Sequence, residues 1–226
     1  MKTLLEVKNL KIELCLKNNQ QIIIKDSNIK IEYGKITALI GRSGEGKTVF
    51  SLSLVNLLSN KFKISEGEII FNKKKFDLSE LNTLRGSNIF YIPQNSLLSL
   101  NPVLKIKKQV DEVRKISDKE MMNIFKYLGL NEYERILNSY PFELSGGQAQ
   151  RVVITIGLSM NPKLLIFDEP TSSLDEKNRN AFGRLMKSIV EKYNKSILII
   201  SHNLEFVKKY SDKIYEIKNK EIRLSE

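Results

Sequence analysis

The chain of 226 residues has one cysteine, Cys15, one histidine, His202, and no tryptophan. A lone cysteine excludes a disulfide framework within the chain. With a single histidine beside it, a cysteine- or histidine-cluster metal centre is excluded too. Long apolar runs are also missing. Leu164–Phe167 and Ile197–Ile200 fall far short of the roughly 18 residues that a membrane-spanning helix requires. Met1–Leu10 lacks the apolar stretch of a secretory signal, so the expectation is a cytoplasmic protein, still free to dock on a membrane protein. Acidic residues are in deficit: 26 Asp+Glu against 37 Lys+Arg leaves a net charge of +11. That balance admits nucleic acid, anionic lipid or phosphate ligands without choosing among them, and a lysine excess spread over a whole chain is usually a solvated surface. Core material is abundant. With 41% hydrophobic and 28% charged residues the chain suits a folded globule and not a disordered one.

The first third reads as strands. Leu4–Val7, Leu10–Leu14, Gln21–Ile24 and Asn28–Ile31 are short segments separated by polar or Asn-rich turns. Leu10, Ile12 and Leu14 alternate with Lys11 and Glu13, the period of a strand with one wet face. Ile36–Ile40 is almost continuously apolar, which predicts a parallel strand buried on both faces. It runs into a glycine-rich turn and then a helix over Val49–Leu58, and Glu68–Phe71 and Ile89–Ile92 are further strands. From Asn95 to Gly147 the strand runs give way to amphipathic helices over Leu104–Lys115, Asp118–Leu128 and Glu132–Asn138. Strand signals return at Leu164–Phe167 and Ile197–Ile200. Between them Ala181, Phe182, Leu185, Met186, Ile189 and Val190 recur with helical period, the pattern of a βαβ unit. Lys73–Lys75 reads as a solvated turn. The expected fold is α/β, with a helical insertion in the middle and extra strands at the N-terminal end.

The sharpest motif is Gly41-Arg42-Ser43-Gly44-Glu45-Gly46-Lys47-Thr48, which fits G-x-x-x-x-G-K-[ST] with a third glycine added. Such a loop must curl so that backbone N–H groups converge on one point, and glycine permits both the curl and the close approach of phosphate oxygens. The helix that follows aims its positive end at the same phosphates. Lys47 adds a mobile charge for the outer phosphates and Thr48 a hydroxyl for Mg²⁺. The preceding strand and following helix are the context that distinguishes this motif from a chance glycine-rich turn. Leu164–Phe167 followed by Asp168-Glu169 reads as a buried strand whose end emerges in a cleft. Asp168 would hold Mg²⁺, directly or through water, and Glu169 would act as general base on the attacking water. Leu144-Ser145-Gly146-Gly147-Gln148 precedes a helical run containing Val152, Val153 and Ile156, with Ser145 as N-cap and two glycines that leave N–H groups open. One triphosphate needs only one phosphate loop, so the simplest account of this second anion site is that it serves the ATP held by a partner's loop.

These motifs, in this order, resemble the ATP-binding subunit of an ABC transporter over essentially the whole chain. Gly41–Thr48 is similar to the family's Walker A loop, Tyr91-Ile92-Pro93-Gln94 to its Q-loop, and Leu144–Gln148 to its signature motif. Asp168-Glu169 resembles Walker B, Ser172-Ser173-Leu174-Asp175 the D-loop, and Ser201-His202 the switch histidine. The resemblance implies a P-loop NTPase core with a mostly parallel sheet, an N-terminal antiparallel β subdomain and an inserted α-helical subdomain. Residues 1–93 and 151–226 would form the core with the β subdomain, and residues 94–150 the helical part, all one ATPase domain. It further implies that Gln94 approaches Mg²⁺ and the water, that Asp175 reaches across a dimer interface, and that His202 contacts the γ-phosphate and positions Glu169. Two departures stand out. Leu14 occupies the position where the family places an aromatic residue against adenine, which implies lost stacking. Val49 replaces a second hydroxyl after Thr48, which implies one phosphate hydrogen bond fewer, at about 1 kcal/mol.

The function implied is an ATPase that powers transport through a separate membrane permease, with ATP and Mg²⁺ as cofactors. A second ABC ATPase, identical or related, would be its dimer partner, and a substrate-binding protein would deliver cargo. The subunit would sit on the inner face of the cell membrane. The Ser99-Leu100-Asn101-Pro102 segment soon after Gln94, together with Val49, resembles the peptide and nickel importer group. The stop at Glu226, short of the C-terminal extension of many peptide importers, leans slightly towards nickel, another metal complex or a compact variant. A soluble ABC-type ATPase acting on nucleic acid or ribosomes is the alternative. It would need a long coiled-coil insertion or tandem ATPase domains, and no sustained heptads lie between Gln94 and Ser145, so no nucleic-acid partner is expected.

Overall fold

The computed structural model describes residues 2–17, 19–113 and 116–225. Two sheets form, and hydrophobic pattern decides which strand joins which. The strands β1 (Thr3–Leu16), β2 (Asn19–Glu32), β4 (Phe62–Phe71) and β5 (Lys74–Phe76) make an antiparallel sheet in the order β2-β1-β4-β5. The second sheet takes β3 (Ile36–Ile40), β6 (Ile89–Ile92), β7 (Leu164–Asp168), β8 (Ser196–Ile200), β9 (Lys213–Lys218) and β10 (Glu221–Leu224). Its order is β10-β9-β3-β8-β7-β6, and its neighbours are parallel except for the terminal β9–β10 hairpin.

The central strands β3, β7 and β8 are buried at every residue, which explains their unbroken apolar runs. Successive side chains point to opposite faces. Ile197 and Ile199 of β8 enter a core shared with the helices, while Leu198 and Ile200 enter a core shared with the antiparallel sheet. The helices are α1 (Lys47–Ser53), α2 (Ile106–Val113), α3 (Asp118–Tyr127), α4 (Tyr133–Asn138), α5 (Gly146–Ser159), α6 (Glu176–Tyr193) and α7 (Leu204–Tyr210). Helix α6 joins the adjacent parallel strands β7 and β8, as the βαβ pattern requires. Helices α2 to α4 fill the stretch where strand signals vanish. The expected end of the second-quarter helix at Lys115 lies outside the described residues.

Several expected boundaries shift. The four short N-terminal strands are two long ones. Asn9 (φ 49°) and Asp26 (φ 43°) fall inside β1 and β2, where the pairing shifts register. Asn and Asp tolerate this left-handed backbone, so the polar breaks become bulges and not turns. Helix α1 begins at Lys47 and ends at Ser53, earlier than the periodicity predicts. Of the three lysines read as a turn, Lys73 turns (φ 69°) while Lys74 and Lys75 begin β5. Helix α7 and the β9–β10 hairpin had no strong signal, because charged residues interrupt their short apolar patterns.

Close packing of α7 on α6 fixes the segment that follows β8. A Cβ on Gly183 would lie 2.5 Å from Tyr210 Cδ2, and the Tyr210 hydroxyl is held by Asn180 Oδ1 at 2.9 Å. Gly183→Ala should therefore destabilise the protein by about 1–3 kcal/mol despite alanine's better helix propensity. Urea unfolding checks this, and an unchanged or raised midpoint would show that the α6–α7 contact yields freely.

Candidate functional site

Three strand ends create the site. Leu39 of β3 and Asp168 of β7 each pair with Ile200 of β8, so the three strands finish level. The segment beyond each strand end enters the same crevice, the usual ligand position in an open α/β sheet. After β3 comes the loop 41–46, after β7 Glu169, and after β8 Ser201 and His202.

The loop is built as its glycines require. Gly44 (φ 83°) and Gly46 (φ 101°) are left-handed, and a Cβ on Gly46 would come 3.0 Å from Ile23. Lys47 is almost fully buried and donates to the carbonyls of Gly41 (2.8 Å) and Arg42 (2.9 Å). Its Nζ lies 4.0 Å from Glu169 Oε1. The Arg42 N–H donates to Glu45 Oε2 at 2.6 Å, so Glu45 braces the loop from within.

Glu169 has φ 46°, an uncommon conformation for a side chain this large, and its N–H donates to Ile200 O at 2.9 Å. Its Oε2 is 2.9 Å from His202 Nδ1, so the expected pairing of carboxylate and histidine is present. Asp168 is buried at 3% exposure. Burial pushes its carboxyl above the usual range and the Glu169 charge adds to this, while the Tyr91 and Thr48 hydroxyls pull it back. Tyr91 Oη donates to Asp168 Oδ2 at 2.8 Å, and Asp168 Oδ1 is buried without a hydrogen-bond partner. Burial, then the Asp168 charge, pushes the Tyr91 phenol far above its ordinary value, so it stays a donor.

A cavity of about 580 Å³ gathers the phosphate loop, Lys47, Glu169 and His202, while Asp168 and Tyr91 lie outside its lining. Its lining combines polar groups, at Ser43, Gly44, Gly46, Lys47, Thr48, Gln94, Glu169 and His202, with apolar side chains at Leu14, Ile23, Val49 and Phe62. Leu14 and Phe62 are opposite each other on β1 and β4. The aromatic side chain that Leu14 fails to supply is therefore present in the same cavity, contributed by the neighbouring strand. Sequence reasoning missed it because it placed β4 at Glu68–Phe71, and cross-strand pairing leaves no local signal. Tyr91 was placed in the Q-loop motif but not beside Asp168.

Not every expected residue joins this cavity. Gly41, Arg42 and Glu45 support the loop from outside the lining. Ser145 and Gln148 form a capping box on α5: Ser145 Oγ accepts from Gln148 N (3.2 Å) and Gln148 Oε1 from Ser145 N (3.0 Å). Gly146 and Gly147 are exposed and line a second cavity of about 660 Å³ with Ser172 and Ser173. Asp175 caps α6, accepting from Asn178 N at 2.8 Å, and lines neither of these two cavities. Gln94 borders both cavities and donates to Ser172 Oγ at 3.1 Å. Gln150 of α5, which the sequence did not single out, donates to Pro170 O (3.0 Å), next to Glu169.

Comparison with known proteins places this geometry. Residues 24–172 match the family model described as ABC transporter. The chain is 38% identical over 226 residues to the oligopeptide transport ATP-binding protein AppD of Bacillus subtilis, covering 95% of this chain and 69% of that protein. It is 32% identical over 228 residues to the metal-staphylopine import system ATP-binding protein CntD of Staphylococcus aureus, covering 96% and 83%. It spans a smaller share, 62%, of the oligopeptide transport ATP-binding protein OppD of B. subtilis, at 35% identity and 93% coverage of this chain. The dimeric structure of MJ0796, a bacterial ABC transporter cassette, superposes with a TM-score of 0.82 at 26% identity, covering 98% of both chains.

The contact between Glu169, Lys47 and His202 predicts that Glu169→Gln, which keeps shape and removes basicity, leaves ATP binding intact. Steady hydrolysis should fall by about 10²–10⁴-fold. Turnover near the parent rate in a phosphate-release assay would exclude Glu169 as the proton acceptor.

Proposed function

The chain belongs to the ABC transporter family, and from that membership we propose that it is the ATP-hydrolysing subunit of an importer for peptides or a metal complex. The observation that carries this reading is the separation of two anion-binding surfaces. Ser43, Gly44 and Gly46 of the loop line one cavity with Lys47, and the glycine-rich start of α5 lines another. A second cassette, a copy or a relative, would bring its α5 N-terminus to the nucleotide held here, with Asp175 near the shared interface. Ser145, Gly146 and Gly147 would serve the partner's nucleotide in return.

In this reading the phosphate loop and Lys47 hold the triphosphate, and Lys47 exchanges its loop carbonyls for phosphate oxygens. Glu169 accepts a proton from the attacking water, and His202 holds its carboxylate at the level of the γ-phosphate. Gln94 borders both cavities and would report occupancy to helices α2 to α4, whose exposed neighbours would meet a membrane permease. Residues 94–150 would thus act as the helical subdomain. The residues also fit Mg²⁺: buried Asp168 has a carboxylate oxygen without a partner, and the Thr48 hydroxyl, which lines the cavity, acts on the same carboxyl group. Thr48 and Asp168, with Gln94, would hold the ion, which when bound neutralises charge on the outer phosphates. Among the described residues no helix is long and apolar enough to cross a membrane, which fits a peripheral subunit whose permease is a separate chain. A substrate-binding protein would bring the cargo. The relatives are named for oligopeptide transport and metal-staphylopine import, so both cargo classes stay within the proposal, and none of the named relatives favours a nucleic-acid role.

Two experiments test this. Co-expression with its permease should yield a membrane complex whose ATP hydrolysis rises when cargo-loaded binding protein is added. Hydrolysis indifferent to both would overturn the transport reading. The apolar side chains of the cavity should hold the base: Phe62→Ala is expected to weaken ATP binding by about 1–3 kcal/mol by calorimetry, with tripolyphosphate binding unchanged. Equal losses for both ligands would remove Phe62 from the base site.

A further inference from the structure

Strand β6 reads Ile89-Phe90-Tyr91-Ile92, and its one hydroxyl demands an explanation. Tyr91 is half-buried, and a hydroxyl drawn out of water is costly without a partner. Tyr91 is level with Ile166 of β7, two residues before Asp168, so the two side chains rise from the same face of the sheet. The Tyr91 hydroxyl donates to Asp168 Oδ2 at 2.8 Å. The two carboxylate oxygens are thereby made unequal, since Oδ1 stays buried without a partner. A carboxylate at a strand end can otherwise swing about its last torsion, and either oxygen could face a cation. Phenylalanine in place of Tyr91 would fill the same space, so packing alone does not call for the oxygen.

We infer that Tyr91 is a positioning residue that locks the Asp168 carboxylate through Oδ2 and so reserves Oδ1 for the divalent cation that accompanies the nucleotide. The inference rests on the ATP–Mg²⁺ reading of the cavity and adds a residue to it. Partners that orient a metal-binding carboxylate typically change metal affinity by about 10–100-fold when removed. Tyr91 never touches the nucleotide in this role, since it is absent from the cavity lining. Its loss should be felt only through the cation.

The test is ADP affinity, read with a fluorescent analogue, across a Mg²⁺ titration and in EDTA, for the parent chain and Tyr91→Phe. Tyr91→Phe should need about tenfold more Mg²⁺ for half-maximal strengthening of ADP binding, with ADP affinity in EDTA unchanged. A purely structural role would move affinity equally with and without Mg²⁺, and that result would overturn the inference. So would a Mg²⁺ midpoint equal to the parent's. If the phenylalanine variant does not fold by urea unfolding, Tyr91→Met, also without a hydroxyl, is measured in its place. A parent chain whose ADP binding ignores Mg²⁺ would overturn the ATP–Mg²⁺ reading itself, which a normal parent beside an unshifted variant would leave standing.

Discussion

Level termination of three parallel strands is the constraint on which the site depends. Backbone pairing sets Leu39, Ile200 and Asp168 side by side, and the chain leaving each strand turns into the same crevice. Lys47, Glu169 and His202 are far apart in sequence, yet the strand ends bring them to one place. The buried sheet also sustains an uncommon backbone. Left-handed φ at a residue such as Glu169 costs on the order of 1–3 kcal/mol, and the hydrogen bond from its N–H to Ile200 helps to hold it there. Packing on both faces, through two separate cores, supplies the rigidity.

On the proposed reading, the same rigid frame leaves the site to be completed by a second cassette. Phosphate loop, carboxylates and histidine converge within one chain, while the α5 N-terminus faces a different cavity. Its capping box satisfies Ser145 and Gln148 internally, and its exposed glycines keep the helix end open. A hydrogen bond from Gln150 to Pro170 ties this helix to the turn that carries Glu169, and one from Gln94 ties the other cavity edge to Ser172. Helix α5 and the segment that follows Glu169 are thus joined by a direct hydrogen bond.

How much of this the sequence disclosed depended on whether the signal was local. Strands β3, β7 and β8 were legible because burial on both faces leaves unbroken apolar runs, and the phosphate loop because its glycines must stand where the chain turns. Glu169 and His202 were legible because each stands two residues beyond such a run. Phe62 and Tyr91 were not, since each acquires meaning only from its opposite number on another strand, Leu14 and Ile166. Asn9 and Asp26 looked like turns because a bulge uses the same residues. The resemblance points Asp175 towards a partner, and within this chain its carboxylate caps α6.

Each chain, on this account, holds a nucleotide but completes its cleavage only with a second cassette. The most direct measurement is single-turnover ATP cleavage per bound nucleotide as the chain is diluted, then supplemented with excess Lys47→Ala chain or with the related ATPase it pairs with. The account predicts a rate that vanishes on dilution and returns with the supplement. A full rate that neither dilution nor supplement alters would contradict it.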